Sequence, residues 1–275
     1  MSAAGVTLVL SGGGAKTAAH VGAARAVEEA GLIPVRYVAT SMGAVIAAAL
    51  AGGSDREALL ARLADVGRAG VVRDPLALVS GLFARSLLRA APFRRAVEQI
   101  VPARRFAELS VPVTVSVVDL DTGELLLFGA GGDDAPLVDV LCASCALPLY
   151  FPAEMLAGRR CGDGGLRGPL PLDVAARLGA ERVVAVDVGP GFDVPSAPGS
   201  APPVVRAHDD AIGALMAHAT AAQLALWRAD PGRPPLVYVR PRLERDATFR
   251  VDLVRRYAEE GYRAVREALG AARRA

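Results

Sequence analysis

Hydrophobic and polar positions along this chain fall into two alternating kinds of run. Short apolar runs at 6–10 (VTLVL), 35–39 (VRYVA), 111–118 (VPVTVSVV), 124–129 (ELLLFG), 182–188 (RVVAVDV) and 235–240 (PLVYVR) predict strands. The first is apolar but for Thr7, which suits a strand covered on both faces. Between the runs lie stretches with helical spacing: AAHVGAARAVEEAG to a stop at Gly31, AVIAAALAGG from residue 44, and 55–66, 92–100, 136–145, 170–178, 206–228 and 250–272. The opening order, strand, loop, helix, strand, turn, helix, predicts an open α/β sheet. The Pro/Gly-rich stretch 189–203 (GPGFDVPSAPGSAPP) is expected to be a surface loop inside one domain spanning 1–275, because a strand and helices that can complete the same sheet follow it.

Composition changes this picture little. The chain has 275 residues, 52% hydrophobic and 22% charged, which suits a globular protein with a sizeable core. A formal net charge of +2 gives no general argument for nucleic-acid binding, and none is expected. The N-terminus lacks a basic region followed by a long apolar one and reads as a strand rather than a signal peptide. The apolar stretch around 44–51 is too short to span a bilayer. Three cysteines are too few, and odd in number, for a disulfide framework. A soluble, cytoplasmic protein is the expectation.

Candidate chemistry begins at LSGGGAKTAAHVG, residues 10–22, which contains the chain's only lysine, Lys16. A phosphate-binding P-loop ending in Lys16-Thr17 would need glycines at 15 and 10, where Ala15 and Leu10 stand. A dinucleotide fingerprint would need glycines at 12, 14 and 17, and Thr17 fills the third place. A second motif, ATSMG at 39–43, lies where the second strand turns into a helix. A serine there has its hydroxyl pushed out above the sheet, with small residues needed two before and two after, as Ala39 and Gly43 provide. Its own amide opens a helix, where the dipole favours a developing oxyanion. Both turns leave neighbouring strands at the carboxyl edge of the sheet. The amides of Gly13, Gly14 and Ala15 can therefore face an acyl oxygen attacked by Ser41, which makes the glycine loop an oxyanion cradle rather than a phosphate cradle.

A serine nucleophile needs a base. The histidines are His20, His208 and His218. His20, on the first turn after the loop, is expected to pack and orient the loop. Asp163, in RRCGDGGLRG, is the better candidate, since the glycines at 164 and 165 let its turn lie against another backbone; an ordinary Asp-Gly turn is the plain alternative. Upstream, ASCALPLYFPAE (143–154) reads as a helix end running into a Pro-punctuated loop that delivers Asp163 to the site.

With GGGAK at 12–16, ATSMG at 39–43, ASCALPLYFP at 143–152 and DGG at 163–165, in order and spacing, the sequence resembles the patatin-like phospholipases, which are lipid acyl hydrolases. The resemblance covers most of residues 6–188. It implies a three-layer α/β/α sandwich around a mainly parallel sheet and a lipid or ester substrate. It implies a Ser41–Asp163 dyad and an oxyanion hole along Gly12, Gly13, Gly14, Ala15 and Lys16. His20, Ala39, Gly43, Gly164 and Gly165 would support these, with no metal and no cofactor in the chemistry. The chain departs from the family at Ala39 and Thr17, where glycine is usual, and lacks an asparagine after DGG. If Thr17 is already helical, its side chain is harmless; the run AKTAAHVGAARAV reads as one helix and favours that outcome.

Three features remain. Cys142 and Cys145 have a redox-like spacing inside a block explained otherwise, and read as small buried hydrophobes. Residues 78–106 mix large apolar residues with six arginines and one acid, Glu98. They are either a packed helix with a solvated Arg face or a segment that contacts a membrane surface. His208-Asp209-Asp210 reads as part of a helix start. Two rival functions stay open: a serine thioesterase using His20 as base, and a catalytically weak or inert patatin-like binding or regulatory domain.

Overall fold

The computed structural model describes residues 4–70, 86–191, 202–245 and 250–272. Eight strands form one sheet: β1 (Ala4–Leu10), β2 (Leu32–Thr40), β3 (Val113–Asp119), β4 (Leu125–Gly129), β5 (Glu154–Leu156), β6 (Arg159–Asp163), β7 (Val183–Val186) and β8 (Leu236–Val239). The order is β5-β6-β3-β2-β1-β7-β8, with β4 also paired to β3. The pairs β3/β2, β2/β1, β1/β7 and β7/β8 are parallel, and β3/β4, β3/β6 and β5/β6 are antiparallel. The helices among the described residues are α1 (Ala18–Glu29), α2 (Met42–Ala51), α3 (Arg56–Gly70), α4 (Ala90–Ile100), α5 (Leu137–Ser144), α6 (Leu172–Arg177), α7 (Pro203–Ala229) and α8 (Val254–Ala272).

Side chains alternate across a strand, and here the alternation separates two cores. Val6, Leu8 and Leu10 of β1 face the larger core with α1, α2, α4, α5 and α8, while Val9 faces a smaller one with Leu170, Leu172, Leu224 and Trp227. The result is the expected α/β/α sandwich around a mostly parallel sheet.

All six predicted strands are present, and two more were not predicted. The hairpin β5/β6 follows the Pro-punctuated loop, over residues 154–163 where no strand is expected. Its sequence, RRCGD in β6, has no apolar run, because Arg159 and Arg160 face water and pair with Asp119, Glu124 and Asp121. Asp163 is thus the last residue of a strand, with its amide held by Ala146 at the start of that loop.

One feature of register positions the site. β4 runs along Thr114–Val118 on one edge of β3. The other edge is shared end to end: β2 pairs as far as Thr40 opposite Ser116, and β6 takes over with Asp163 opposite Val117. Since β6 occupies the next place on that edge, β2 turns away at Ser41.

Of the segment 78–106, residues 78–85 lie outside the described residues. The rest includes α4, which buries Ala96, Val97 and Ile100 and ties Arg94 to Asp139 at 2.6 Å. Residues 192–201 of the Pro/Gly-rich stretch also lie outside.

Candidate active site

Ser41 stands between β2 and α2 with φ 55° and ψ −138°, a conformation that costs a side-chain-bearing residue of order 1–3 kcal/mol. Packing enforces it. A Cβ on Gly43 would overlap the Ser11 carbonyl oxygen, so the elbow lies directly on the end of β1. Ala39 is fully buried between Leu10 and Val115, and its methyl is accommodated. The Ser41 amide donates to Ser144 Oγ at 2.8 Å. That amide is therefore engaged by the protein and not directed at an oxyanion, which corrects the expectation from the helix dipole.

The Ser41 hydroxyl donates to Asp163 Oδ2 at 2.7 Å, although 122 positions separate the two residues. Asp163 Oδ1 accepts the Gly165 amide at 2.7 Å, and its own amide donates to the Ala146 carbonyl at 3.1 Å. Gly164 presses against β3, where a Cβ would overlap the Ser116 carbonyl oxygen. Burial raises the Asp163 pKa from 3.8 to about 6; the bonds from Gly165 and Ser41 oppose this but do not cancel it. Cys145 is buried beside the pair, and desolvation, then the Asp163 charge, hold its thiol well above the usual range. All three cysteines are buried free thiols, as small hydrophobes would be.

The glycine loop passes against the serine from the other side. A Cβ on Gly12 would stand 3.0 Å from Ser41 Cβ, so glycine lets the loop come this close. The Gly12 amide donates to the Pro169 carbonyl at 3.1 Å, so its contribution is this close approach rather than a hydrogen bond to substrate. Gly13 has φ 156°, and a Cβ there would stand 2.7 Å from the Val188 carbonyl oxygen. A 3₁₀ turn, Gly14–Thr17, then leads into α1. Lys16 is buried, with Nζ donating to the Gly189 carbonyl at 3.4 Å.

Thr17 has ordinary helical angles, φ −64° and ψ −11°, and its hydroxyl donates to the Gly14 carbonyl at 2.7 Å. The threonine that departs from the family pattern therefore braces the loop. Thr17→Gly removes that brace without relieving strain, and should lower stability by about 1 kcal/mol in thermal unfolding. A gain in stability would show a strained loop.

His20 is fully buried, and its Nε2–H donates to the Ser11 carbonyl at 2.9 Å. Burial lowers its pKa to about 4, against smaller upward effects of the Ser11 bond and the Asp187 charge. The ring is thus neutral near pH 7, holds the end of β1, and is bonded to backbone, while the Ser41 hydroxyl is bonded to Asp163. His208 and Asp209 lie in the first half of α7, where Asp209 accepts from the Tyr150 hydroxyl at 2.6 Å.

Two supporting residues escape a reading of the sequence. Ser144 lies inside the quoted block 143–152 but has no signature of its own. Asp187, a lone acid in the apolar run RVVAVDV, carries a signal in retrospect. Its buried carboxylate accepts from the Gly189 amide at 2.9 Å, the Tyr238 hydroxyl at 2.8 Å and Arg240 at 2.5 Å. It thereby fixes the β7 turn on which Gly13 and Lys16 rest.

The model of the family described as patatin-like phospholipase matches residues 8–176, which include the glycine loop, the elbow and the DGG turn. The chain belongs to the patatin-like phospholipase family. Among its relatives, an uncharacterized NTE family protein of Mycobacterium bovis is 32% identical over 194 residues, 68% of this chain and 51% of that protein. Patatin-like phospholipase domain-containing protein 6 of Homo sapiens is 30% identical over 189 residues, 67% of this chain and 13% of that protein. This chain thus spans about half the length of the mycobacterial relative and a small part of the human one. VipD from Legionella pneumophila, a solved structure, aligns with a TM-score of 0.48 at 16% identity, covering 98% of this chain and 67% of that one. Beyond the stretch matched to the patatin-like family lie β7, α7, β8 and α8, which complete the sheet and cover the back of the loop. Among the described residues, no helix is long and apolar enough to cross a membrane.

Proposed function

We propose that this patatin-like protein is a serine acyl hydrolase that cleaves carboxylic esters of lipids. The 2.7 Å hydrogen bond from the hydroxyl of Ser41, on its strained elbow, to the buried Asp163 carboxylate carries the reading. Ser41 Oγ attacks the ester carbonyl as its proton passes to Asp163. The tetrahedral oxyanion lies against the amides of Gly13, Gly14 and Ala15, which belong to a backbone already held in place by Pro169, Val188, Thr17 and His20. Collapse expels the alcohol, which takes the proton from Asp163. Water then attacks the acyl-enzyme with Asp163 again as base and releases the fatty acid.

A base must be ionised to take a proton and basic enough to hold it. Burial that raises Asp163 to about 6 serves both needs near pH 7. Accordingly, kcat/KM for p-nitrophenyl butyrate should rise with pH through an apparent pKa of about 6 and level off above it. A profile still flat at pH 4.5 would remove Asp163 from this role.

The assignment is tested with p-nitrophenyl butyrate on the parent, Ser41→Ala, Asp163→Asn and His20→Ala, alongside labelling by a fluorophosphonate. The expected result is turnover and labelling by the parent, loss of turnover in the first two variants, and retention in the third. A His20→Ala loss as deep as that of Ser41→Ala, in a protein that remains folded, would favour the histidine base. Lack of Ser41 labelling in the parent would favour an inert domain.

A further inference from the structure

Three hydroxyls outside the Ser41–Asp163 pair converge on the elbow. Ser144 Oγ accepts the Ser41 amide at 2.8 Å and donates its proton to the Ser116 carbonyl at 2.8 Å. Thr40 Oγ1 and Ser116 Oγ share a hydrogen bond of 2.5 Å. Thr40, Ser116 and Ser144 are all buried, at 0%, 1% and 0% exposure, so water cannot stand in for these bonds.

The polarity of this arrangement is determined. A hydroxyl has one proton to give, and the Ser116 carbonyl can only accept. The Ser144 proton therefore lies toward β3, and a lone pair of its oxygen faces the Ser41 N–H. Two residues later the same turn acts on the other partner, since the Ala146 carbonyl accepts the Asp163 amide at 3.1 Å. The end of α5 thus grips the backbone amides of both residues whose side chains meet.

We propose that Ser144 is a positioning residue. By holding the Ser41 amide, it keeps the positive-φ elbow at the angle that aims Oγ at Asp163, and it keeps that amide away from the substrate oxygen. The proposal rests on the hydrolase reading above. Ser144 touches the Ser41 main chain and the Ser116 carbonyl and takes no part in the Ser41–Asp163 hydrogen bond itself, so its loss is expected to act on the chemical step more than on substrate binding.

The test compares the parent with Ser144→Ala and with Ser144→Cys, which fills the site with a weaker acceptor. Steady-state kinetics on p-nitrophenyl butyrate are combined with thermal unfolding and amide hydrogen exchange. The expected result for Ser144→Ala is a fall in kcat of about 30-fold with KM within about twofold. Exchange should be faster in residues 37–45 and unchanged in β1. Ser144→Cys should fall between the two, and it decides the matter if Ser144→Ala does not fold. A kcat within about threefold of the parent, with exchange at 37–45 unchanged, would overturn the proposal. Faster exchange spread equally over β1 and β3 would also overturn it, by showing a general packing role. If the parent has no Ser41-dependent turnover, the hydrolase reading fails, while exchange at 37–45 still decides whether Ser144 holds the elbow.

Discussion

Asp163→Asn should lower ester hydrolysis by about four orders of magnitude while making the protein more stable at pH 8. Asn cannot accept a proton from Ser41, so the loss of turnover should approach that of Ser41→Ala. The stability gain follows from the same burial that makes Asp163 a useful base. Its folded pKa is about 6, against 3.8 for the ordinary carboxyl. A group raised on folding favours the folded state at pH values below 3.8 relative to higher pH, and that advantage disappears as pH rises through 6. Above that point the ionised carboxylate costs about 3 kcal/mol relative to an unperturbed one. A neutral isostere that keeps the acceptor for Gly165 N–H escapes most of that cost. Thermal unfolding at pH 8 and pH 4 checks this: the Asn variant should gain at pH 8 and gain little at pH 4. A variant less stable than the parent at pH 8 would mean that the ionised pair is itself stabilising.

Gly22→Ala should destabilise the fold by about 3 kcal/mol or more, with a drop in Tm on the order of 10 °C. Helices α1 and α8 cross with their backbones in contact. A Cβ on Gly22 would overlap the Ala258 carbonyl oxygen, and a Cβ on Gly261 would overlap the Ala19 carbonyl oxygen. The obstructing atoms are main chain, which cannot rotate away as a side chain can, so a methyl group must separate the helices. The consequence reaches the site, because α1 begins at the glycine loop and carries His20. Gly261→Ala should behave alike, and the double variant should lose less than the sum, since one separation relieves both contacts. Calorimetry on the three variants tests this, and a Tm shift below about 2 °C in Gly22→Ala would contradict it.

The alternation of apolar strand runs and helical stretches was enough to define the class of fold, because each run covers a face that has to be buried. The elbow was equally legible. Small residues on either side of Ser41 are a local requirement, and local requirements leave a mark in adjacent positions. Asp163 was visible for the same reason, through the glycines that follow it, of which Gly164 lets the turn press on Ser116.

What tertiary structure alone decided is how those local pieces are completed. The β5/β6 hairpin was hidden because RRCGD stays in the sheet through pairing with β3 and ion pairs at its surface, not through an apolar pattern. That pairing, end to end with β2 on one edge of β3, is what brings Ser41 to Asp163. The Ser41 amide looked like an oxyanion donor from its place at a helix start. Only the fold brings Ser144, 103 positions away, to occupy it. That Thr17 is helical could be read from the run AKTAAHVGAARAV; that its hydroxyl holds the Gly14 carbonyl could not. A sequence records what each residue demands of its neighbours in the chain. Hydrogen-bond partners drawn from distant elements leave no such record, since any hydroxyl or amide of the right reach can serve, and only the folded chain determines which one does.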